Sequence, residues 1–279
     1  MKTVGFIDYY LDEFHANNYV GWLDGLSGGE LKATYAWAKI DSPKGGMTTE
    51  QWCEKYRVQR LGSIRDVVEK SDCLIVLSPD NPEMHEELCQ LPLRSGKRVY
   101  VDKTFADGRA AALRIFKIAE ESGTPCFSSS ALRFAEEYRG LGKGEVRNVA
   151  SWGPGPLDVY SIHQIEPIIG LMGPQAKRVQ YIGTREWPAL VIEFDGGRRA
   201  NLSHHGWDCP FALSVDYADG TSKIAAVHSE YFLEFVRQMA DFFLTGDVKV
   251  GHAETVAIIS VREAALKAAQ RPGEWIAVG

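Results

Sequence analysis

The sequence lacks any uninterrupted apolar run near the roughly 18 residues that a membrane-spanning helix needs. It lacks a basic surplus. Lys and Arg number 31 against 37 Asp and Glu, for a net charge of −6 and a pI near 5.7. That balance argues against a general nucleic-acid binder and leaves room for a small anion in a local basic pocket. Cysteines are few and odd in number, at 53, 73, 89, 126 and 209, and no pair is spaced Cys-x-x-Cys. A reduced, cytoplasmic protein is expected. The N-terminus, MKTVGFIDYY, has no basic start, long apolar core or small-residue cleavage site, so no signal peptide is expected. There is no Gly-x-Ser-x-Gly nucleophile motif, and Ser128-Ser-Ser130 has no base placed beside it by sequence. Internal repeats and low-complexity segments are missing too.

What is there is a chain of 279 residues, long enough for two ordinary domains with ample core, and 45% hydrophobic. Its first part alternates strands and helices. Thr3 to Asp8 reads as a strand, 12–26 as a helix and Leu31 to Ile40 as a strand. Asp41-Ser-Pro-Lys-Gly-Gly46 is a turn by composition. Thr48-Thr-Glu-Gln51 has capping-box spacing, and Ser63-x-x-Asp66 opens a short helix. Asp72-Cys-Leu-Ile-Val-Leu-Ser78 is the clearest buried strand. Pro79 and Pro82 interrupt it, and a helix continues through His85. A strand at 97–101, a helix at 107–122 with Asp107 as its cap, and a strand at 125–128 complete the pattern. Such alternation predicts a Rossmann-type, doubly wound parallel sheet.

After residue 128 the pattern changes. One helix is expected at 159–172, then strands at 176–184, 189–195, 198–205, 211–217 and 221–227, and closing helices at 229–245 and 252–270. This predicts an α+β domain with an open, mostly antiparallel sheet over 129–279, after a dinucleotide-binding domain over 1–128.

Ligands of an open parallel sheet bind beyond the carboxyl ends of its strands. Lys103, at the exit of Val99-Tyr100-Val101, is a cation at such a place. The segment Gly96-Lys-Arg-Val-Tyr-Val-Asp-Lys103-Thr resembles the Gly-Lys-x-Val-x-x-Glu-Lys-Pro signature of the glucose–fructose oxidoreductase and inositol dehydrogenase family, with Asp102 and Thr104 as changed flanks. Leu77-Ser-Pro-Asp-Asn-Pro-Glu-Met-His85 is similar to the family's segment after the fourth strand. Ser130-Ala-Leu-Arg-Phe134 is similar to its entry into the second domain. Ile162-His-Gln-Ile-Glu166 with Gly170-Leu-Met-Gly173 resembles its substrate-side helix. The matches keep their order over nearly the whole chain.

The resemblance implies an NAD- or NADP-dependent oxidoreductase acting on a sugar, polyol or similar hydroxy compound. His163 would be the general base, Lys103 the cation on the substrate oxygen, and Tyr160 an orienting or relaying group. The dinucleotide would be lined by Ile7, Asp8, Tyr9, Asp41, Ser78, Pro79, Asn81, His85, Asp102 and Lys103. Asp41 would meet a ribose hydroxyl, whereas Lys39 would suit a 2′-phosphate, so the choice between NAD and NADP stays open. The family's habit of pairing through its open sheet implies a homodimer or homotetramer. No nucleic acid or membrane partner is expected, and no metal. His204 and His205 are neighbours on a strand and point to opposite faces. Trp152 and Trp207 are expected in packing or as pocket walls.

The chain departs from the family in two places. Asp8 and Tyr10 fall where the family has the glycines of Gly-x-Gly-x-x-Gly, which let backbone approach a pyrophosphate. Val159 stands where an aspartate usually precedes the histidine by four residues, and Asp158 is one position, about 100°, off that face. Glu166 fills the second acidic position. A second reading follows from these changes: a family member with reduced or lost catalysis that binds a ligand or regulates.

Overall fold

The computed structural model describes residues 1–279. Packing divides the chain into two compact units, Met1–Ser129 with Val236–His252, and Ser130–Phe235 with Ala253–Gly279.

The first unit is built on strands β1 (Lys2–Asp8), β2 (Leu31–Ala38), β3 (Gln59–Arg60), β4 (Cys73–Val76), β5 (Arg98–Val101) and β6 (Cys126–Phe127). Helices α1 (Phe14–Leu26), α2 (Thr49–Tyr56), α3 (Ile64–Lys70), α4 (His85–Leu88) and α5 (Arg109–Glu121) alternate with them. All strands are parallel, in the order β3-β2-β1-β4-β5-β6. The order reverses between β1 and β4, which makes their carboxyl ends the switch point of the doubly wound sheet. β4 is buried at every residue, as a strand covered on both faces must be. Gly5 in β1 lets α3 approach: a Cβ there would lie 2.3 Å from Ser71 Oγ. The Thr48–Gln51 capping box is present, with Thr48 N donating to Gln51 Oε1 at 2.9 Å. Asp107 does not cap α5; Gly108 takes that position, without a side-chain bond.

The second unit holds a seven-stranded sheet in the order β12-β11-β7-β10-β9-β8-β13. Its strands are β7 (Val146–Pro154), β8 (Ala176–Tyr181), β9 (Ala189–Phe194), β10 (Arg199–His205), β11 (Ala212–Tyr217), β12 (Ser222–Ala226) and β13 (Trp275–Ala277). Every pairing is antiparallel except β7 with β10. Three helices complete the chain: α6 (Leu157–Met172), α7 (Tyr231–Thr245) and α8 (His252–Ala269). α6 is fixed on the sheet by Gln164. Its amide accepts from Ser151 Oγ of β7 at 2.9 Å and donates to the Ser203 carbonyl of β10 at 3.1 Å. No helix is long and apolar enough to cross a membrane.

Strand β7, near the middle of this sheet, was not expected from the sequence. Val146-Arg-Asn-Val-Ala-Ser-Trp-Gly-Pro carries Asn, Ser, Gly and Pro, all poor strand formers. Its burial comes from long-range pairing with β10 and β11.

Candidate functional site

Asp8 ends β1 at the switch point and is fully buried. Neither carboxylate oxygen reaches a hydrogen-bond partner. Burial pushes its pKa well up, and the charges of Glu13 and Asp102 push the same way, against the nearby N–H groups of Tyr9 and Tyr10.

The next helix explains the local charge. The first N–H groups of a helix have no internal partner and attract anions. Here Glu13 is the N-cap of α1, and its own carboxylate takes them. Oε2 accepts from His15 N at 2.8 Å, and Oε1 accepts from Ala16 N. The same Oε2 lies 2.8 Å from Nδ1 of the His15 ring. Burial pulls the His15 pKa down, but Asp102 and Glu13 outweigh it and the net shift is upward.

Asp12, adjacent to this cap, is used elsewhere. It accepts from Met47 N at 2.7 Å and from Asn17 Nδ2 at 3.0 Å. Gly46 closes on it so tightly that a Cβ would come 2.2 Å from Asp12 Oδ2. Tyr10 reaches the loop after β4. Its hydroxyl donates to Asp80 Oδ2 at 2.7 Å, and Lys44 pairs with the same oxygen at 2.8 Å. The loops after β1, β2 and β4 are therefore tied together across the carboxyl ends of the strands.

The other residues expected at a dinucleotide are placed as follows. Ile7 is fully buried. Tyr9 is half-buried and its ring meets that of Tyr10 edge-on at 6.0 Å. Asp41 is exposed and accepts from Thr49 N at 2.7 Å, at the start of α2. Lys39 pairs with Glu87 at 2.5 Å. Ser78 is buried and donates to the Asn81 carbonyl at 2.8 Å; Asn81 in turn donates to Glu83 at 3.0 Å, and Pro79 is half-buried between them. His85 is fully buried. Its Nδ1 lies 3.0 Å from the Thr104 carbonyl and 3.2 Å from that of Phe105, so it braces the exit of β5.

At that exit Asp102 is buried. One oxygen accepts from Tyr100 Oη at 2.9 Å and the other has no partner. Lys103 is half-buried and forms no hydrogen bond or ion pair, and the peptide joining it to Thr104 is cis. An open groove of about 830 Å³ runs beside α2 and β3, lined by Trp37, Glu50, Glu54, Arg57 and Arg60 among others. None of the residues expected at a dinucleotide lines it.

As they stand, these residues do not fit a pyrophosphate at the N-terminus of α1. Its seat holds the Glu13 carboxylate, and Asp8 adds a second buried acid beside it.

In the second unit the residues singled out on α6 do come together. Ser130 Oγ lies 2.7 Å from His163 Nδ1. The serine run thus has a base beside it in space, although sequence placed none there. Ser130 is fully buried and also accepts from Leu132 N at 3.3 Å, so its hydroxyl holds the ring. Tyr160, three residues before His163, shares its face, and the two rings meet edge-on at 5.3 Å. Trp207 stands edge-on to Tyr160 at 5.0 Å, and Phe211 lies 5.8 Å from His163. Gly155 and Gly153 make room for this frame: a Cβ would meet the Tyr160 ring at 2.6 Å or the Phe211 ring at 2.4 Å. His163, Tyr160 and Phe211 are half-buried, and Trp207 is 68% exposed.

The acidic residues near His163 have other employment. α6 already includes Asp158, which is exposed and bonds Val159 N at 3.0 Å. Glu166 is buried and paired with Arg133 at 3.3 Å, and Arg133 also holds Glu254. His204 is buried and His205 is exposed on the opposite face of β10, so the pair does not converge.

No family model and no curated protein matches the sequence. Solved structures are similar in fold. A myo-inositol dehydrogenase from Lactobacillus casei, in complex with NAD(H) and myo-inositol, superposes with a TM-score of 0.82 at 12% identity, over 100% of this chain and 97% of the other. A scyllo-inositol dehydrogenase from the same organism, with NAD(H) and scyllo-inositol, gives 0.79 at 14% identity over 99% of each chain. A probable dehydrogenase from Thermotoga maritima gives 0.81 at 13% identity, over 99% and 98%. The fold is therefore that of the glucose–fructose oxidoreductases and inositol dehydrogenases: a parallel Rossmann-type sheet followed by a mostly antiparallel one.

Proposed function

We propose that this chain is a sugar- or polyol-binding protein on an oxidoreductase fold, with its ligand against the His163 face of α6. The observation that carries this reading is the frame itself. A hydrogen-bonding imidazole, held by Ser130 at 2.7 Å, lies between the rings of Tyr160 and Phe211, with Trp207 standing against Tyr160. Small-ligand sites combine aromatic walls with a few placed polar groups. A polyol suits such a wall, because it offers C–H faces to rings and hydroxyls to an imidazole. The inositols held by two structures of the same fold support the ligand class. In this reading His163 hydrogen-bonds a ligand hydroxyl; the acid–base role belongs to the dehydrogenase reading below. Ligand-observed NMR against inositols and hexoses tests this. Binding to the wild type that Trp207→Ala and His163→Ala both weaken supports it; binding unaffected by either variant contradicts it.

A second reading, an NAD- or NADP-dependent dehydrogenase of hydroxy compounds, is favoured by Lys103. A half-buried cation without a partner at the end of β5 is free to meet a ligand oxygen. Loss of turnover in Lys103→Met and His163→Ala on a genuine substrate would support it. In either reading the protein is a homodimer or homotetramer joined through the second unit's sheet, and a monomeric mass by light scattering would contradict that. Five free cysteines fit the cytoplasm.

A further inference from the structure

We infer that Glu13 is a built-in occupant of the pyrophosphate seat, and that the first unit does not take a nicotinamide dinucleotide. The inference is independent of the ligand read for the second unit. It begins at α1, a helix of 13 residues whose N-terminus points to the switch point as in a dinucleotide-binding unit. The partial positive charge there is worth most to an anion that is desolvated and close. Glu13 meets both conditions. Its side chain is 7% exposed, and its two oxygens take the N–H groups of His15 and Ala16. A phosphate in this seat has to displace a carboxylate that is tethered to the helix it caps, and which therefore competes without the entropy loss of a free ligand.

The surroundings make displacement harder. Asp8, fully buried, has no partner for either oxygen, and Asp102 has one bare oxygen. Glu13 and Asp102 both lie close enough to Asp8 for their charges to push its pKa up. A pyrophosphate would bring its charge onto the Glu13 carboxylate and beside Asp8, whose carboxyl burial holds toward the neutral form. Lys44, a nearby cation, is already neutralised by Asp80 at 2.8 Å. The Tyr10 hydroxyl closes onto that same Asp80 with its ring 4% exposed, so bulk stands where the fold elsewhere needs glycine. Asp12, bound to Met47 N and packed against Gly46, locks the loop to the one after β2.

The test is a fluorescence titration of the wild-type chain with NADH and NADPH, on a sample shown to unfold cooperatively. No saturation up to about 1 mM is expected. Saturable binding at micromolar levels overturns the inference. Calorimetry with inorganic pyrophosphate then examines Glu13 itself. Glu13→Ala, which opens the seat, is expected to bind it about tenfold more tightly than the wild type. Equal affinities would show that Glu13 is not the occupant. Should Glu13→Ala fold poorly, Glu13→Gln serves: it keeps one acceptor for the N–H groups and removes the charge, and a gain in pyrophosphate affinity is again expected.

Discussion

The Glu13 carboxylate and the His15 residue are joined twice through one oxygen. Oε2 receives the His15 backbone N–H and also meets the ring Nδ1, both at 2.8 Å. One side chain thereby caps α1 and fixes an imidazole beside two buried acids.

Removing that cap destabilises the first unit. Glu13→Ala leaves the His15 and Ala16 N–H groups without their acceptor, and loss of a capping side chain costs about 0.5–2 kcal/mol. The expected result is a lower urea midpoint with an unchanged slope. A midpoint equal to the wild type would show that the cap contributes nothing.

Asp8 makes stability depend on pH. Its folded pKa is raised above the unfolded value, first by burial and then by Glu13. Between those two values the folded state holds a proton that the unfolded state has lost, so stability falls as pH rises through the window. Its contribution is complete below the unfolded pKa. His15, also raised, acts with the same sign. Asp8→Asn cannot ionise, and its urea midpoint should fall less than the wild type's between pH 5 and pH 8. Identical pH profiles would contradict a protonated Asp8.

Arg133 is expected to be the most sensitive position of the second unit. It joins Glu166, 3% exposed, to Glu254, and its guanidinium lies where a Cβ at Gly170 would approach within 3.2 Å. Arg133→Leu takes the guanidinium from both carboxylates, and breaking a buried pair costs about 3–5 kcal/mol. Replacing Glu166 by Leu in the same chain removes the buried carboxylate that faced the guanidinium, and chemical denaturation should show partial recovery. No recovery would mean that the guanidinium acts through packing alone.

Ser130 is a positioning residue for His163. One lost hydrogen bond is worth about 0.5–1.5 kcal/mol, so Ser130→Ala should weaken ligand binding roughly three- to tenfold. It should also move the His163 ring resonances in an NMR pH titration, and Ser130→Thr should restore both. Unchanged ring titration would contradict the assignment.

The alternation of strands and helices was legible because burial on both faces forces apolar runs such as Cys73–Val76, and caps such as Thr48 announce helix starts. The loss of glycine at Asp8 and Tyr10 was equally visible. The group that takes the helix N–H groups was not, because that cap is Glu13, and glutamate lies outside the residues usually preferred there. Strand β7 stayed hidden because its partners β10 and β11 lie far along the chain. The Ser130–His163 contact spans 33 residues and leaves no local signature.

The most direct test of the account is calorimetric titration of a panel of inositols and hexoses into the wild type and His163→Ala, with no nucleotide present. A member of the panel is expected to bind the wild type unaided, and His163→Ala to weaken that binding about tenfold. Binding that appears only after NADH or NADPH is added would contradict it.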